Sequence, residues 1–136
     1  MIKKTGNINI DMKELARQKK RLPRVVGNMA VNHFQEGFRK GGGQTDASKA
    51  GWKKRKKVRR RRDVGRAILV DTGALRKDIS VRRANLNRIA VGTKDVHYAA
   101  YHNEGTGRLP KREFLGKSSV LEVNIRKRID LAIKKA

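Results

Sequence analysis

The chain has 136 residues, enough for one domain with a modest core, and its 36 Lys+Arg against 12 Asp+Glu give a formal charge of +24. With only 37 % hydrophobic residues, such a field opposes compaction and self-association until something anionic neutralises it: nucleic acid, an acidic protein surface or an anionic membrane. The lack of cysteine excludes a disulfide framework, a Cys-type zinc site and thiol catalysis.

The basic start Met1-Ile2-Lys3-Lys4 is not followed by an apolar stretch. The longest apolar run, Ala67-Ile68-Leu69-Val70, falls far short of the ~20 residues of a membrane span. The expectation is a soluble protein, initially in the cytoplasm, with no membrane partner. Asp11 is placed to cap a helix opening at Met12 with Glu14 in its first turn. Pro23 either starts a second helix or kinks one long helix. Beyond it Val26, Met29, Ala30, His33, Phe34 and Phe38 form a helical apolar stripe, which Gly41-Gly42-Gly43 ends.

Residues 41–66 read as a long basic loop. Nine of the ten residues from Lys53 to Arg62 are cationic (Lys53, Lys54, Arg55, Lys56, Lys57, Arg59, Arg60, Arg61 and Arg62). Like-charge repulsion is expected to keep that tract extended or mobile when unbound. After Arg66, Asp71 or Thr72 can cap a short helical turn. Ile79-Ser80-Val81 and Ile89-Ala90-Val91 alternate as strands do, with turn residues from Asn85 to Arg88 between them, so a β-hairpin is predicted. Gly92-Thr93 closes it. His97 to Glu104 suits a short helix ending at Gly105, and Arg112 to Gly116 a brief edge strand. Ser118 or Ser119 caps a final helix with Leu121, Ile125, Ile129 and Ala132–Ile133 on its apolar face. The fold class is α+β in one domain, 1–136: a small antiparallel sheet packed with a long N-terminal and a C-terminal helix.

Little in this pattern supports catalysis. His97 and His102 are five apart, unlike an i, i+4 ligand pair, and His33 lies on an apolar stripe, so no metal site is expected. Asp71 and Asp78 have no defined separation for acid–base work. Gly41-Gly42-Gly43-Gln44 lacks the Gly-Lys-Ser/Thr of a phosphate-binding loop. Neither a catalytic residue nor a cofactor is expected. The tract Lys53–Arg62 has three open readings: sequence-independent contact with DNA, docking on an acidic protein face, or a solvated loop. With Trp52 the sole aromatic near the tract, reading of single strands is not expected.

Four pieces occur in order: Ile68-Leu69-Val70-Asp71-Thr72-Gly73-Ala74-Leu75, Val91-Gly92-Thr93, Tyr98-Ala99-Ala100-Tyr101-His102-Asn103-Glu104-Gly105, and Arg112-Glu113-Phe114-Leu115-Gly116. Together with Gly51-Trp52 upstream, this wording resembles the phage virion morphogenesis family, which includes Mu-type tail-completion and head–tail neck proteins. The resemblance spans about residues 51–133. It departs from the family at Glu113, where proline is frequent, and in the density of the basic tract.

The resemblance implies a non-enzymatic subunit in the virion, a neck or tail-completion protein. It implies a ring at the head–tail junction, on the order of six or twelve copies. Implied partners are copies of itself, portal or adaptor proteins, tail-terminator or tail-tube proteins, and packaged double-stranded DNA. Trp52, Thr72, Gly73, Leu75, Gly92, Tyr98, His102, Gly105, Arg112, Phe114, Leu115 and Gly116 then read as structural. Gly73 and Gly92 would allow tight turns, and Tyr98, Phe114 and Leu115 would anchor the core. The rival reading is a basic nucleic-acid-binding module resembling a ribosomal protein.

Overall fold

In the computed structural model, residues 11–54, 69, 73–96, 98–105 and 109–135 are described. Helix α1 runs unbroken from Met12 to Lys40, 29 residues or about 43 Å. The Asp11 side chain accepts from the N–H groups of Lys13 and Glu14 at its start, and Gly41, left-handed at φ 77°, ends it. Pro23 lies inside this single helix, so of the two roles open to it the second-helix start is ruled out. Its missing N–H leaves the Lys19 carbonyl without the usual intrahelical donor.

The remaining elements are α2 (Ala74–Asp78), β1 (Ser80–Ala84), β2 (Ile89–Gly92), α3 (Ala99–Glu104) and α4 (Ser119–Lys135), of which α2, both strands and α4 pack against α1. Strands β1 and β2 form a two-stranded antiparallel hairpin with a register irregularity between Val81 and Arg83. Its turn is closed by Asn85, whose Oδ1 accepts from the N–H of Asn87 at 2.9 Å and of Arg88 at 2.8 Å. The architecture is α+β, as the pattern of periodicities predicts.

The hairpin meets α1 at Gly27. A Cβ there would lie 2.9 Å from Val81 Cγ2 and 3.6 Å from Ile89 Cγ2, so the absence of a side chain is what lets the sheet approach. One buried cluster joins Ala30, Phe34 and Phe38 of α1 with Trp52, Leu75, Ile79, Ala99, Phe114 and Leu121. At its centre Phe38 meets Trp52 edge-on at 5.4 Å and Phe114 at 5.6 Å. Rings of this size bury about 150–250 Å² each, an upper figure of about 4–6 kcal/mol apiece.

Several expectations are corrected. Arg112 to Gly116 is not a strand; the amides of Phe114 and Leu115 are satisfied by the Asn103 side chain instead of a ladder. The first residue of α2 follows Gly73, which makes no side-chain cap bond, and Asp71 and Thr72 lie outside the described residues. Helix α3 starts at Ala99, with His97 outside the described residues. Of the two serines expected as alternatives at the start of α4, Ser118 is the cap, as that expectation allowed: its Oγ accepts from the N–H of Leu121 at 3.3 Å. Ile133 is exposed, not part of the buried face of α4.

Candidate interaction surface

The loop after α1 is fastened rather than loose over its described part, residues 41–54. Thr45 and Ser48 close a single 3-10 turn by a capping box, and Asp46 reaches across to Ser119, bonding its N–H at 3.0 Å and its hydroxyl at 2.8 Å. Those two bonds, the backbone one first, hold the Asp46 carboxyl below its ordinary pKa. Trp52 is buried, its N–H bonds the Gly41 carbonyl, and its indole Nε1 donates to the Glu113 carbonyl at 3.0 Å. Gly42, at φ 100°, makes room for it: a Cβ there would stand 2.7 Å from Trp52 Cδ1.

Trp52 is therefore a core anchor and is not placed to stack on a base. Immediately after it Lys53 and Lys54 are exposed. The Lys53 carbonyl accepts from Arg112 Nε at 3.0 Å, so the root of the cationic tract is pinned to the Arg112–Phe114 segment. Arg55, Lys56, Lys57, Arg59, Arg60, Arg61 and Arg62 lie outside the described residues.

The motif residues converge on the same place. Gly105, left-handed at φ 72°, ends α3, and the backbone of Lys111 crosses it so closely that a Cβ would sit 2.7 Å from Lys111 Cα. The chain can then turn back. Arg112, buried, bonds the His102 carbonyl through its N–H at 2.9 Å. Asn103 Oδ1 accepts from Phe114 at 2.9 Å and Leu115 at 3.0 Å. Phe114 fills the core, Leu115 packs against it, and the Glu113 side chain lies over Gly116, where a Cβ would meet Oε1 at 1.9 Å. Leu75 is buried in the same core, and Gly73 is left-handed at φ 82°.

Two motif residues behave differently from expectation. Gly92 pairs with Ser80 inside the strand, and its nearest neighbour to a Cβ would be at an ordinary 3.8 Å, so no tight turn requires it. Tyr98 is 39 % exposed, its ring edge-on to His102 at 5.8 Å, and is not a core anchor. Asn103, Gly27 and Gly42 carry structural roles that sequence reasoning did not single out. For Asn103 the only signal was its place beside Gly105 in the motif.

Two polar groups that could invite chemistry, His33 and Asp78, are engaged in structural hydrogen bonds. His33 Nε2 lies 2.7 Å from the Gln44 carbonyl and 3.0 Å from Ser118 Oγ. Since a carbonyl only accepts, that nitrogen carries the proton and cannot draw one from Ser118. Asp78 Oδ2 accepts three backbone N–H bonds, from Lys94, Asp95 and Val96, each 2.9 Å. These bonds, Val96 foremost, and the charge of Arg82 lower its pKa. Asp78 thus fixes the β2–α3 connection.

His102 is half-buried with its Nδ1 unbonded; desolvation first, then Arg112, lowers its pKa. Among the described residues no cluster of three His, Cys, Asp or Glu could hold a metal ion, and no helix is long and apolar enough to cross a membrane.

What remains outward is surface. Tyr98, just before α3, and Tyr101 within it stand exposed, while Val120, Val123, Leu131 and Ile133 are exposed on α4. The model of the phage virion morphogenesis family matches residues 5–134, which extends the resemblance back through α1. Neither a curated protein nor a solved structure gives a match.

Proposed function

The chain belongs to the phage virion morphogenesis family, and on that premise we propose that it is a neck or tail-completion subunit forming a ring at the head–tail junction. The observation that carries this reading is the use of the motif residues. Gly105, Arg112, Asn103 and Phe114 build a clasp that closes the core, and no arrangement among them places a nucleophile, base or open ligand set. A protein whose signature is spent on its own shape acts through its surfaces.

Those surfaces suit assembly. The exposed apolar side chains of α3 and α4 are candidates for contacts between copies or with portal, adaptor, tail-terminator or tail-tube proteins. Closed cyclic symmetry, on the order of six or twelve copies, is how one small chain builds a round junction. The charge of +24 opposes closure by the free protein until acidic connector proteins or DNA neutralise it. The tract from Lys53 to Arg62 is one surface that meets packaged duplex DNA or an acidic partner.

The test is the position and copy number of the protein in purified virions, by gold labelling and quantitative mass spectrometry. A ring complement at the head–tail junction is expected. A single copy per particle, or absence from the particle, would overturn the reading.

A further inference from the structure

A second cationic surface lies on α1, far in sequence from the tract. Lys13, Arg17, Lys20 and Arg24 recur at steps of four, three and four residues, which places them on one helix face. All four are exposed. Arg17 pairs with Glu14, but Lys20, Arg21 and Arg24 make no ion pair among the described residues. Those three cations, with Asn28, line a groove whose far wall is Ala84 at the end of β1, and no carboxylate is among its lining residues. Arg82, Arg83 and Arg88 are exposed on the adjoining hairpin.

We propose that this α1–hairpin groove binds the phosphate backbone of duplex DNA. The stripe from Lys13 to Arg24 is about 16 Å long, which is too long for a single anion. Over that length a duplex carries about ten negative charges. No aromatic residue lines the groove to stack on bases, which disfavours a single strand. Pro23 is buried and Val25 half-buried, so the groove offers no large apolar anchor of the kind a protein partner would use. Binding depends on charge and carries no base readout. The inference goes beyond the neck reading and does not rest on it.

The test uses the full chain and a random-sequence duplex oligonucleotide, with affinity followed by fluorescence anisotropy across a salt series. The variant Lys20→Ser/Arg21→Ser/Arg24→Ser is compared with Arg126→Ser/Lys127→Ser/Lys134→Ser, which removes the same charge from exposed positions on α4. The groove variant is expected to reduce the log–log salt slope by about 2.7, roughly 0.9 for each lost contact, and the α4 variant by less than about 1. Equal reductions in both would overturn the proposal, since the diffuse charge alone would then explain binding.

A groove variant with the unaltered slope would also overturn it. If that variant instead lost binding to poly-glutamate, the groove would belong to an acidic protein. Circular dichroism checks folding, and should the triple variant unfold, the three single substitutions are each expected to lower the slope by about 0.9.

Discussion

The three consecutive glycines after α1 allow backbone strain to be separated from packing. All are left-handed, with φ of 77° at Gly41, 100° at Gly42 and 87° at Gly43, so alanine at any of them costs about 1–2 kcal/mol in conformation. Their surroundings differ. A Cβ on Gly41 meets nothing within 4 Å, and on Gly43 only carbonyl oxygens at 3.7 and 4.0 Å. On Gly42 it meets Trp52 Cδ1 at 2.7 Å, Cγ at 2.8 Å and the Trp52 backbone nitrogen at 2.8 Å.

Backbone cannot rotate away, so Gly42→Ala adds an overpacking cost of about 1–3 kcal/mol, for a total of about 2–5. At about 3–5 °C per kcal/mol for a chain of this size, Gly41→Ala and Gly43→Ala should lower Tm by about 3–10 °C and Gly42→Ala by about 6–25 °C. The chain has one tryptophan, so its emission reports the same event: Gly42→Ala alone should shift it to the red as the indole loosens. Three equal Tm losses with unchanged emission would refute the seating of Trp52 on Gly42.

Phe114→Ala removes a fully buried ring and should cost about 3–5 kcal/mol by urea denaturation, with tail-less or DNA-leaking particles in vivo; a loss under about 1 kcal/mol would contradict its place in the core. Asn103→Ala strands two amides and should cost about 1–3 kcal/mol, whereas Asn103→Asp, which keeps the acceptor, should cost less. Both Asp78 and His102 have folded pKa values below their ordinary ones. Their contributions are therefore full above about pH 3.9 and about pH 6.5 respectively and are lost as pH falls through the lower folded values. His102→Gln should flatten the first part of an acid stability profile and Asp78→Asn the second; overlapping profiles would refute the assignment. Changing Arg59, Arg60, Arg61 and Arg62 to Ser should flatten the salt dependence of DNA or connector association at unchanged Tm, and an unaltered slope with normal virion yield would mark the tract as a solvated loop.

Much of the scaffold was legible because its signals are local. Asp11, Gly41, Asn85, Gly105 and Ser118 act on amides or carbonyls within a few residues, so composition at the element ends announces them. The features that escaped are made by residues distant in sequence. Gly27 sits in an apolar helical stripe and looks like a weak point until Val81 arrives. Phe114 and Leu115 carry strand-forming side chains, but their amides were already claimed by Asn103.

Tyr98 resembled a core anchor because it is large, yet it precedes α3, and the smaller Ala99 makes the buried contact there. Periodicity could show that α4 has a buried face and could not show that Val123 and Leu131 would be left uncovered on another. Nor could spacing reveal the α1 groove, because its far wall is supplied by the hairpin.

Trp52 and Leu69 both pack against the core, one on each side of residues 53–68. Closure entropy between two ends fixed in this way grows slowly with length, by only about 0.6 kcal/mol per doubling, so the core sets where the ends lie and tolerates changes between them. A version of the chain carrying few cations between Trp52 and Leu69 should therefore fold as well as this one.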